Sequence, residues 1–202
     1  VSATHRSALG TGGIAGGLGT STLAAVQNEG RINGYEGTGG IVGSTVISKS
    51  DGSYNDLIIT SAHNYGAILG TDNSGGIAGE AQAMMTDCYN EGSVEATGDF
   101  AGGLGGYMPT VVINNSYNNG AIDAKKFAGG LLARSAYYIL SNSSNLGPVT
   151  ASQGMAAGIL TLGGTIGMIN FCTNYASVKG AVYVAGIIAH SGETKSFTGR
   201  DL

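Results

Sequence analysis

The sequence contains little of what marks many familiar protein classes. Only 11% of its 202 residues are charged, tryptophan is absent, and proline and cysteine occur twice each. The few lysines and arginines are scattered, so the chain has no basic stripe that would suit a nucleic acid. No apolar run approaches the length of a membrane span. We therefore predict no nucleic-acid partner and no membrane insertion.

Glycine, by contrast, occupies 37 positions. Without a three-residue period this content excludes collagen, and the alternating Val, Ile and Leu along the chain argue against disorder. The glycines recur in a small-Gly-apolar signature whose copies are 27, 36, 27, 27, 28 and 28 residues apart. The copies begin at Gly12, Gly39, Gly75, Gly102, Gly129, Ala157 and Ala185.

A second signature, a turn of the form Asn-x-Gly that ends as Asn-x-Ala in the last copy, recurs with the same period. Its asparagines are Asn28, Asn64, Asn90, Asn118, Asn145 and Asn174. A β-branched residue follows each asparagine four positions later. Two signatures that share one period indicate a stacked repeat, because a unit of this size cannot bury its apolar face alone.

The repeat predicts an all-β fold: a single-stranded parallel β-helix, or β-solenoid, with about 27–28 residues per coil. We expect six full coils and a partial seventh, forming one domain over residues 1–202. Each unit holds three short strand candidates, and no segment shows the 3.6-residue period of a helix. The longer second unit predicts an insertion loop near 48–56, and residues 1–9 and 191–202 are expected to be polar tails.

Alternation along the strands predicts which side chains face the core. Ile77 and its equivalents should point inward. The same holds for the residues four positions earlier, which are Phe100, Phe127, Met155 and Tyr183. Each repeated asparagine should turn inward and bond the backbone of the next coil, forming an Asn ladder. The glycine that follows it should supply a positive φ.

The two cysteines fall in one small-residue interior slot of this arrangement. Cys88 and Cys172 would lie three coils apart, or about 14 Å at the usual strand spacing. A disulfide needs Cα atoms within about 7 Å of each other. We therefore predict two free, buried thiols.

Short stretches of the repeat resemble the GLUG motif of bacterial surface and secreted proteins. They are GGIVG (39–43), GGIAG (75–79) and GGLGG (102–106), next to CYNEGSV (88–94) and SYNNGAI (116–122). The motif also occurs in non-catalytic regions of some IgA-cleaving proteases. The resemblance spans nearly the whole chain and weakens where GGLLA and AGILT replace the motif. It implies an exported, surface-attached repeat module, and it transfers no catalytic residue.

No catalytic residue, metal site or cofactor is predicted. Enzymatic β-helices generally need several acidic or basic residues that converge on one groove, whereas the repeat columns place Glu29 with Glu91 and Glu95 with Asp123 on exposed edges. The three histidines, His5, His63 and His190, are too far apart for a zinc or nucleophile–base set. The insertion offers the oxygen ligands Asp51, Asn55 and Asp56, but it lacks the glycine and glutamate of a calcium loop. A polar loop is the favoured interpretation, and a weak cation site or a partner contact is the alternative.

Two outward columns beside the predicted ladder contain aromatic residues. One reads Gln27, His63, Tyr89, Tyr117, Ser144, Thr173, and the other reads Glu29, Tyr65, Glu91, Asn119, Leu146, Tyr175. Exposed tyrosines on a rigid sheet are typical binding anchors, although such rings also stack between coils and shield the backbone. The candidate binding residues are Tyr65, Tyr89, Tyr117, Tyr175 and His63.

The leading hypothesis is a rigid stalk or self-associating filament subunit of a bacterial cell-surface or extracellular protein. Its bare end coils would be covered by head-to-tail copies or by adjoining repeats of a longer chain. The alternative is an adhesin-type module that binds a glycan or a host surface protein through the tyrosine column. A third hypothesis, an active carbohydrate enzyme, would require a carboxylate pair essential for turnover.

Overall fold

The structure is a computed structural model that describes residues 1–2, 10–45 and 57–192. These residues form four parallel sheets, which the chain visits in the same order in every coil. We number the sheets I to IV in that order. The β-solenoid predicted from the repeat is therefore confirmed, with about six turns and no helix among the described residues.

The strands of each sheet stack in register along the solenoid axis. Sheet I contains Thr11–Gly12, Glu36–Gly39, Asp72–Gly75, Phe100–Gly102, Phe127–Gly129, Met155–Ala157 and Val184–Ala185. Sheet II contains Ala15–Leu18, Ser21–Ala24, Val42–Thr45, Leu57–Thr60, Ala78–Glu80, Ala83–Thr86, Gly105–Asn114, Leu132–Ser141, Leu160–Asn170 and Ile188–Ser191. Sheet III contains Gln27–Asn28, His63–Asn64, Tyr89–Asn90, Tyr117–Asn118, Ser144–Asn145 and Thr173–Asn174. Sheet IV contains Ile32–Asn33, Ile68–Gly70, Val94–Ala96, Ile122–Ala124, Val149–Ala151 and Val178–Lys179.

Each coil thus has more strand segments than the three candidates that the sequence suggested. In the third unit the additional segments are the sheet I strand Asp72–Gly75 and the two-residue strand of sheet III, which contains the repeated asparagine and pairs with its equivalents in register. The sheet III strand escaped the pattern because a two-residue strand has no alternation to detect. Sheet II is the widest sheet, and in the later coils its strands run unbroken for ten or eleven residues.

Two separate apolar clusters form the core. One is lined by sheet IV residues such as Ile68 and Val94 and by sheet I residues such as Ala101 and Ala128. The other contains the Ile77 column and the inward side chains of sheet II. Ile77 and its equivalents Ile41, Leu104, Leu131 and Ile159 are fully buried, as the alternation predicted.

The predicted inward column that begins at Phe100 is wrong. Phe100 and Phe127 are only partly buried and stack on each other with ring centroids 4.9 Å apart, and Tyr183 is 53% exposed. Met155 is likewise half-buried, and the alanines next in sequence, Ala101, Ala128 and Ala156, point inward instead. The alternation does not carry through because the chain leaves sheet I and turns into sheet II between these positions.

The turn before each repeated asparagine uses a left-handed backbone, but not at the predicted glycine. The residue three positions before each asparagine has a φ between 48° and 55°. These residues are Ala25, Ser61, Asp87, Asn115, Asn142 and Phe171. The glycine after the asparagine is needed for space, because a Cβ on Gly92 would lie 2.0 Å from the carbonyl oxygen of Gly66 in the preceding coil.

The remaining predictions about chain segments are tested only in part. The insertion near 48–56 lies outside the described residues, as do 3–9 and 193–202 of the predicted tails. Residues 1–2 continue sheet IV: Ser2 bridges Asn33, and the Asn33 amide donates to the Val1 carbonyl oxygen at 2.9 Å. In the described ranges, no helix is long and apolar enough to cross a membrane.

Candidate functional site

The repeated asparagines form a continuous buried column of side chains. The amide nitrogen Nδ2 of Asn90 donates to the carbonyl oxygen of Gly92 at 2.8 Å and to Oδ1 of Asn118 in the next coil at 2.7 Å. Asn64 does the same toward Gly66 and Asn90. The bond between coils therefore joins side chain to side chain, whereas a bond to the next coil's backbone was expected; the backbone bond stays within each coil.

This Asn ladder has a direction. Every bond between coils runs from Nδ2 of one asparagine to Oδ1 of the next, from Asn28 through to Asn174, at 2.7–2.9 Å. Among the described residues, Asn28 Oδ1 accepts only from the Gly30 amide, and Asn174 Nδ2 donates only to the Ala176 carbonyl oxygen. The first coil thus presents an acceptor and the last coil presents a donor.

The two sequence signatures meet at this ladder. A Cβ placed on Gly76, the second glycine of its pair, would lie 2.3 Å from Cγ of Asn90 and 2.2 Å from the carbonyl oxygen of Gly103. The same crowding recurs at Gly40, Gly103, Gly130 and Gly158. The glycine and asparagine signatures share a period because the asparagine side chain packs directly on the glycine.

Four of the five predicted binding residues lie together on the outer surface. The rings of His63, Tyr89 and Tyr117 stack along the axis, with centroids 4.7 and 4.3 Å apart. Tyr65 stands edge-on to His63, and its hydroxyl oxygen lies 3.4 Å from His63 Nδ1. Tyr175 is 73% exposed and stands apart from the stack, on the coil of Thr173.

The stack presents ring edges and hydroxyl groups to solvent. Tyr89 has an aromatic neighbour on each side, so its ring faces are covered by stacking. The Tyr117 hydroxyl donates to Glu91 at 3.1 Å, and burial together with that carboxylate raises the pKa of Tyr117. The cluster suits hydrogen bonding to a polar partner better than it suits a flat ring platform.

A second surface cluster, which the sequence analysis missed, surrounds Arg134. Its guanidinium carbon lies 4.9 Å from the ring centroid of Tyr107 and 5.7 Å from that of Phe100. Glu80 and Tyr107 pair in register, as do Tyr107 and Arg134. Burial raises the pKa of Glu80, although a hydrogen bond from Asn73 opposes the shift. The signal available in the sequence was the 27-residue spacing of positions 80, 107 and 134.

The other titratable groups are dispersed. Lys126 forms an ion pair with Asp99 at 2.7 Å, and His190 stacks on Tyr183 far from His63. Within the described parts of the chain, no group of three or more His, Cys, Asp or Glu residues could hold a metal ion. His5, Asp51, Asn55 and Asp56 lie outside those parts.

Both cysteines are free thiols, and they differ in depth. Cys88 is fully buried, whereas Cys172, expected to be buried as well, is only half-buried because it lies in the last complete coil. Burial raises the pKa of the Cys88 thiol to about 11. A thiol with so high a pKa is a poor nucleophile, because the reactive species is the thiolate.

No family model matches the sequence, and no curated protein matches it. Among solved structures, the chain is similar to a proposed immunoglobulin A1 protease from Bacteroides ovatus, with a TM-score of 0.69 and 20% sequence identity. The match covers 89% of this chain and 66% of that one. The likeness shows a shared fold.

Proposed function

We propose that the chain is a rigid, non-catalytic repeat module of a bacterial cell-surface or extracellular protein, extended along its axis by further coils of the same kind. Those coils come from another copy docked head-to-tail or from adjoining repeats. The observation that carries the proposal is the directed Asn ladder with its complementary ends. The motif resemblance and the likeness to a proposed immunoglobulin A1 protease support the location.

The apolar columns support axial extension in the same way as the ladder. Ile159 is fully buried, but its equivalent Ile187 in the last coil is only half-buried, and at the first coil Ile14 is 47% exposed. A further coil stacked on either end would bury the apolar surface exposed there, and a coil that supplies an asparagine beside Asn174 would add one ladder bond. Because the two ends differ, the contact does not close on itself, and repeated copies would form an open filament.

Two end glycines allow a direct test of axial stacking. A Cβ on Gly158 would lie 2.2 Å from the carbonyl oxygen of Gly186 in the next coil, yet a Cβ on Gly186 itself meets no atom of the described residues within 4 Å. Gly186→Ala should therefore leave this chain intact and obstruct any coil stacked on its C-terminal end. Gly30→Ala should do the same at the other end, since a Cβ on the equivalent Gly66 would lie 2.1 Å from the Gly30 carbonyl oxygen.

The measurement is sedimentation velocity over a range of concentrations, together with electron microscopy of concentrated protein. We expect axial assemblies of the unaltered chain, and shorter or no assemblies of both variants at unchanged melting temperature. The exposed substitution Asn119→Ala is the control and should behave like the unaltered chain. A stable monomer at high concentration, with both variants behaving identically, would contradict self-association.

A second candidate function is recognition of a glycan or host protein by the aromatic stack. The observation that favours it is the convergence of exposed hydrogen-bonding groups from His63, Tyr65, Tyr117 and Glu91. A glycan array would test it with Tyr65→Ala and Tyr117→Phe, and Tyr175→Ala would serve as a control away from the stack. Binding that survives both stack substitutions, or no binding at all, would reject this function.

A further inference from the structure

The outer face of sheet II carries an unbroken apolar column. The register pairs Ile58 with Met84, Met84 with Val112, Val112 with Ile139, and Ile139 with Met168. Four of these side chains are 38–53% exposed, and Val112 is partly exposed. The alternate residues of the same strands point into the core. The outer column is therefore a second apolar surface, separate from the core.

Neighbouring columns widen this surface without adding charge. On one side lie Tyr137 and Ile166, 50% and 64% exposed, which pair in register. On the other side runs a polar column of Thr60, Thr86, Asn114, Ser141 and Asn170. We call these three columns the sheet II face. The largest contiguous apolar patch on a soluble protein is often functional.

We propose that the sheet II face pairs with the same face of a second copy of this chain, giving a side-by-side dimer. The pairing is independent of axial stacking, because it uses the flank of the solenoid instead of its ends. A two-fold axis through the face would bring each apolar column onto its counterpart.

Charge favours a second copy over a charged partner. The chain has a formal net charge of −4, so two copies repel each other over most approaches. None of the side chains that the structure describes in the three columns of the sheet II face is charged. Two copies can therefore meet on this surface without repulsion between like charges. The described part of the surface has no charged group that would attract a polyanion or a basic peptide.

Periodicity also favours an identical partner. The side chains of the face repeat every ~4.8 Å along the axis, the spacing of hydrogen-bonded strands, and stacked sheets pack ~10 Å apart. Only a surface with the same repeat can interdigitate with such a face along its whole length. A second copy of the chain has the same repeat, because it has the same sequence and fold.

The size of the face predicts a weak dimer. Five coils and five strand positions span roughly 24 by 17 Å, or about 400 Å² of planar surface. A standard interface buries about 800 Å² per partner. The apolar column would form the centre of a small interface, so we expect reversible association that depends on concentration.

Sedimentation equilibrium of the full chain tests the proposal, in a Gly186→Ala background that removes axial stacking. Ile139→Arg places a charge in the apolar column and should raise the dimer dissociation constant at least about 30-fold, as loss of an interface anchor does. Leu146→Arg is the matched control, since Leu146 is 47% exposed and belongs to a different column. It should leave the dissociation constant unchanged.

Cross-linking supplies a second readout. With Cys172 changed to Ser and Cys88 buried, Ile139→Cys should give a cross-linked dimer with a short bis-maleimide, and Leu146→Cys should not. A chain that stays monomeric at the highest concentration measured, or equal cross-linking of Ile139→Cys and Leu146→Cys, would overturn the proposal.

Discussion

At the scale of the single residue, the ladder position has a narrow chemical requirement. The side chain must accept one hydrogen bond from the preceding coil and donate two, one to the next coil and one to its own turn. An asparagine amide offers both donors and acceptor at the required length, whereas aspartate has no donor when ionised. The side chain is also buried, so any group left without a partner destabilises the fold.

Replacing Asn90 by alanine should therefore lower stability strongly. The change removes the side-chain partner of one Asn64 Nδ2 hydrogen and of the Gly92 carbonyl oxygen, and it leaves Asn118 Oδ1 accepting only from the Gly120 amide. Each unsatisfied buried group costs about 1–3 kcal/mol, so we expect a loss of at least about 2 kcal/mol. Urea unfolding followed by circular dichroism measures it. The exposed neighbour change Asn119→Ala should stay within about 0.5 kcal/mol, and equal effects of the two changes would refute the ladder's role.

The buried Cys88 thiol leads to a prediction about the stability of the fold at alkaline pH. Its pKa is raised by burial from 9.0 to about 11 in the folded state. Between these values the unfolded chain loses this proton while the folded chain keeps it. Stability is thus fully present below about pH 9 and is lost as the pH rises toward 11. The full effect is on the order of 2–3 kcal/mol, at 1.36 kcal/mol per pKa unit.

Comparison with Cys88→Ala isolates this contribution, because Tyr117 and Tyr138 also have raised pKa values and act in the same direction. The stability difference between the unaltered chain and Cys88→Ala should shrink as the pH rises from 8.5 to 10.5. A difference independent of pH would contradict the buried, neutral thiol. We also expect both cysteines to remain reduced, with Cys172 alkylated before Cys88; a disulfide between them, found by mass spectrometry, would contradict the coil assignment.

At the scale of the element, glycine sets how closely successive coils approach. A Cβ on Gly103 would lie 2.0 Å from the carbonyl oxygen of Gly130 and 2.4 Å from Cγ of Asn118. Both neighbours are fixed by packing, so Gly103→Ala must push two coils apart. Gly186 occupies the same column in the last coil, where a Cβ meets no atom of the part of the chain that the structure describes within 4 Å.

We predict that Gly103→Ala lowers the melting temperature severely or prevents folding, while Gly186→Ala leaves it unchanged. The pair is matched in residue type and column, and it differs in having a coil stacked beyond Gly103. Differential scanning fluorimetry and circular dichroism would compare them. A mild effect at Gly103 would mean that the coils can separate at small cost.

The repeat of the strands could be predicted from the sequence, but which side chains point into the core could be predicted only in part. The two signatures identified the coil length and the inward column at Ile77. The outward position of Phe100 could not be derived, because alternation restarts at the corner between sheets I and II. The position with a left-handed backbone could not be recognised in the sequence, because it is occupied by residues as different as Ala25, Asp87 and Phe171.

The candidate surfaces were predictable to a similar extent. The period brought His63, Tyr89 and Tyr117 into one column, and the structure places them in one stack. The exposed Met84 and Ile139 were hidden, because apolar residues stand at successive positions of these strands and both faces look alike in the sequence. Only the register and the burial separate the outer column from the core.

At the scale of the whole molecule, the solenoid is a one-dimensional array. The sheets pair each strand with its equivalents one coil before and one coil after, and stability should be a sum of coil terms and contacts between neighbours. Nothing in such an array fixes the total number of coils. The fold should then tolerate the loss of a coil, provided that the register of the remaining ones is kept.

Removal of residues 103–129 takes out one whole unit, because Gly102 and Gly129 are register equivalents. The deletion joins Gly102 to Gly130 and places Asn145 directly after Asn90 in the ladder. We expect a folded β-solenoid with an unchanged circular dichroism spectrum per residue and a modestly lower melting temperature, since one set of neighbour contacts is lost. The control removes only residues 103–115, about half a coil, so that inward and outward columns are brought out of register, and it should unfold. If the whole-unit deletion unfolds as completely as the half-unit deletion, then stability depends on contacts beyond neighbouring coils, and the additive description of the array is wrong.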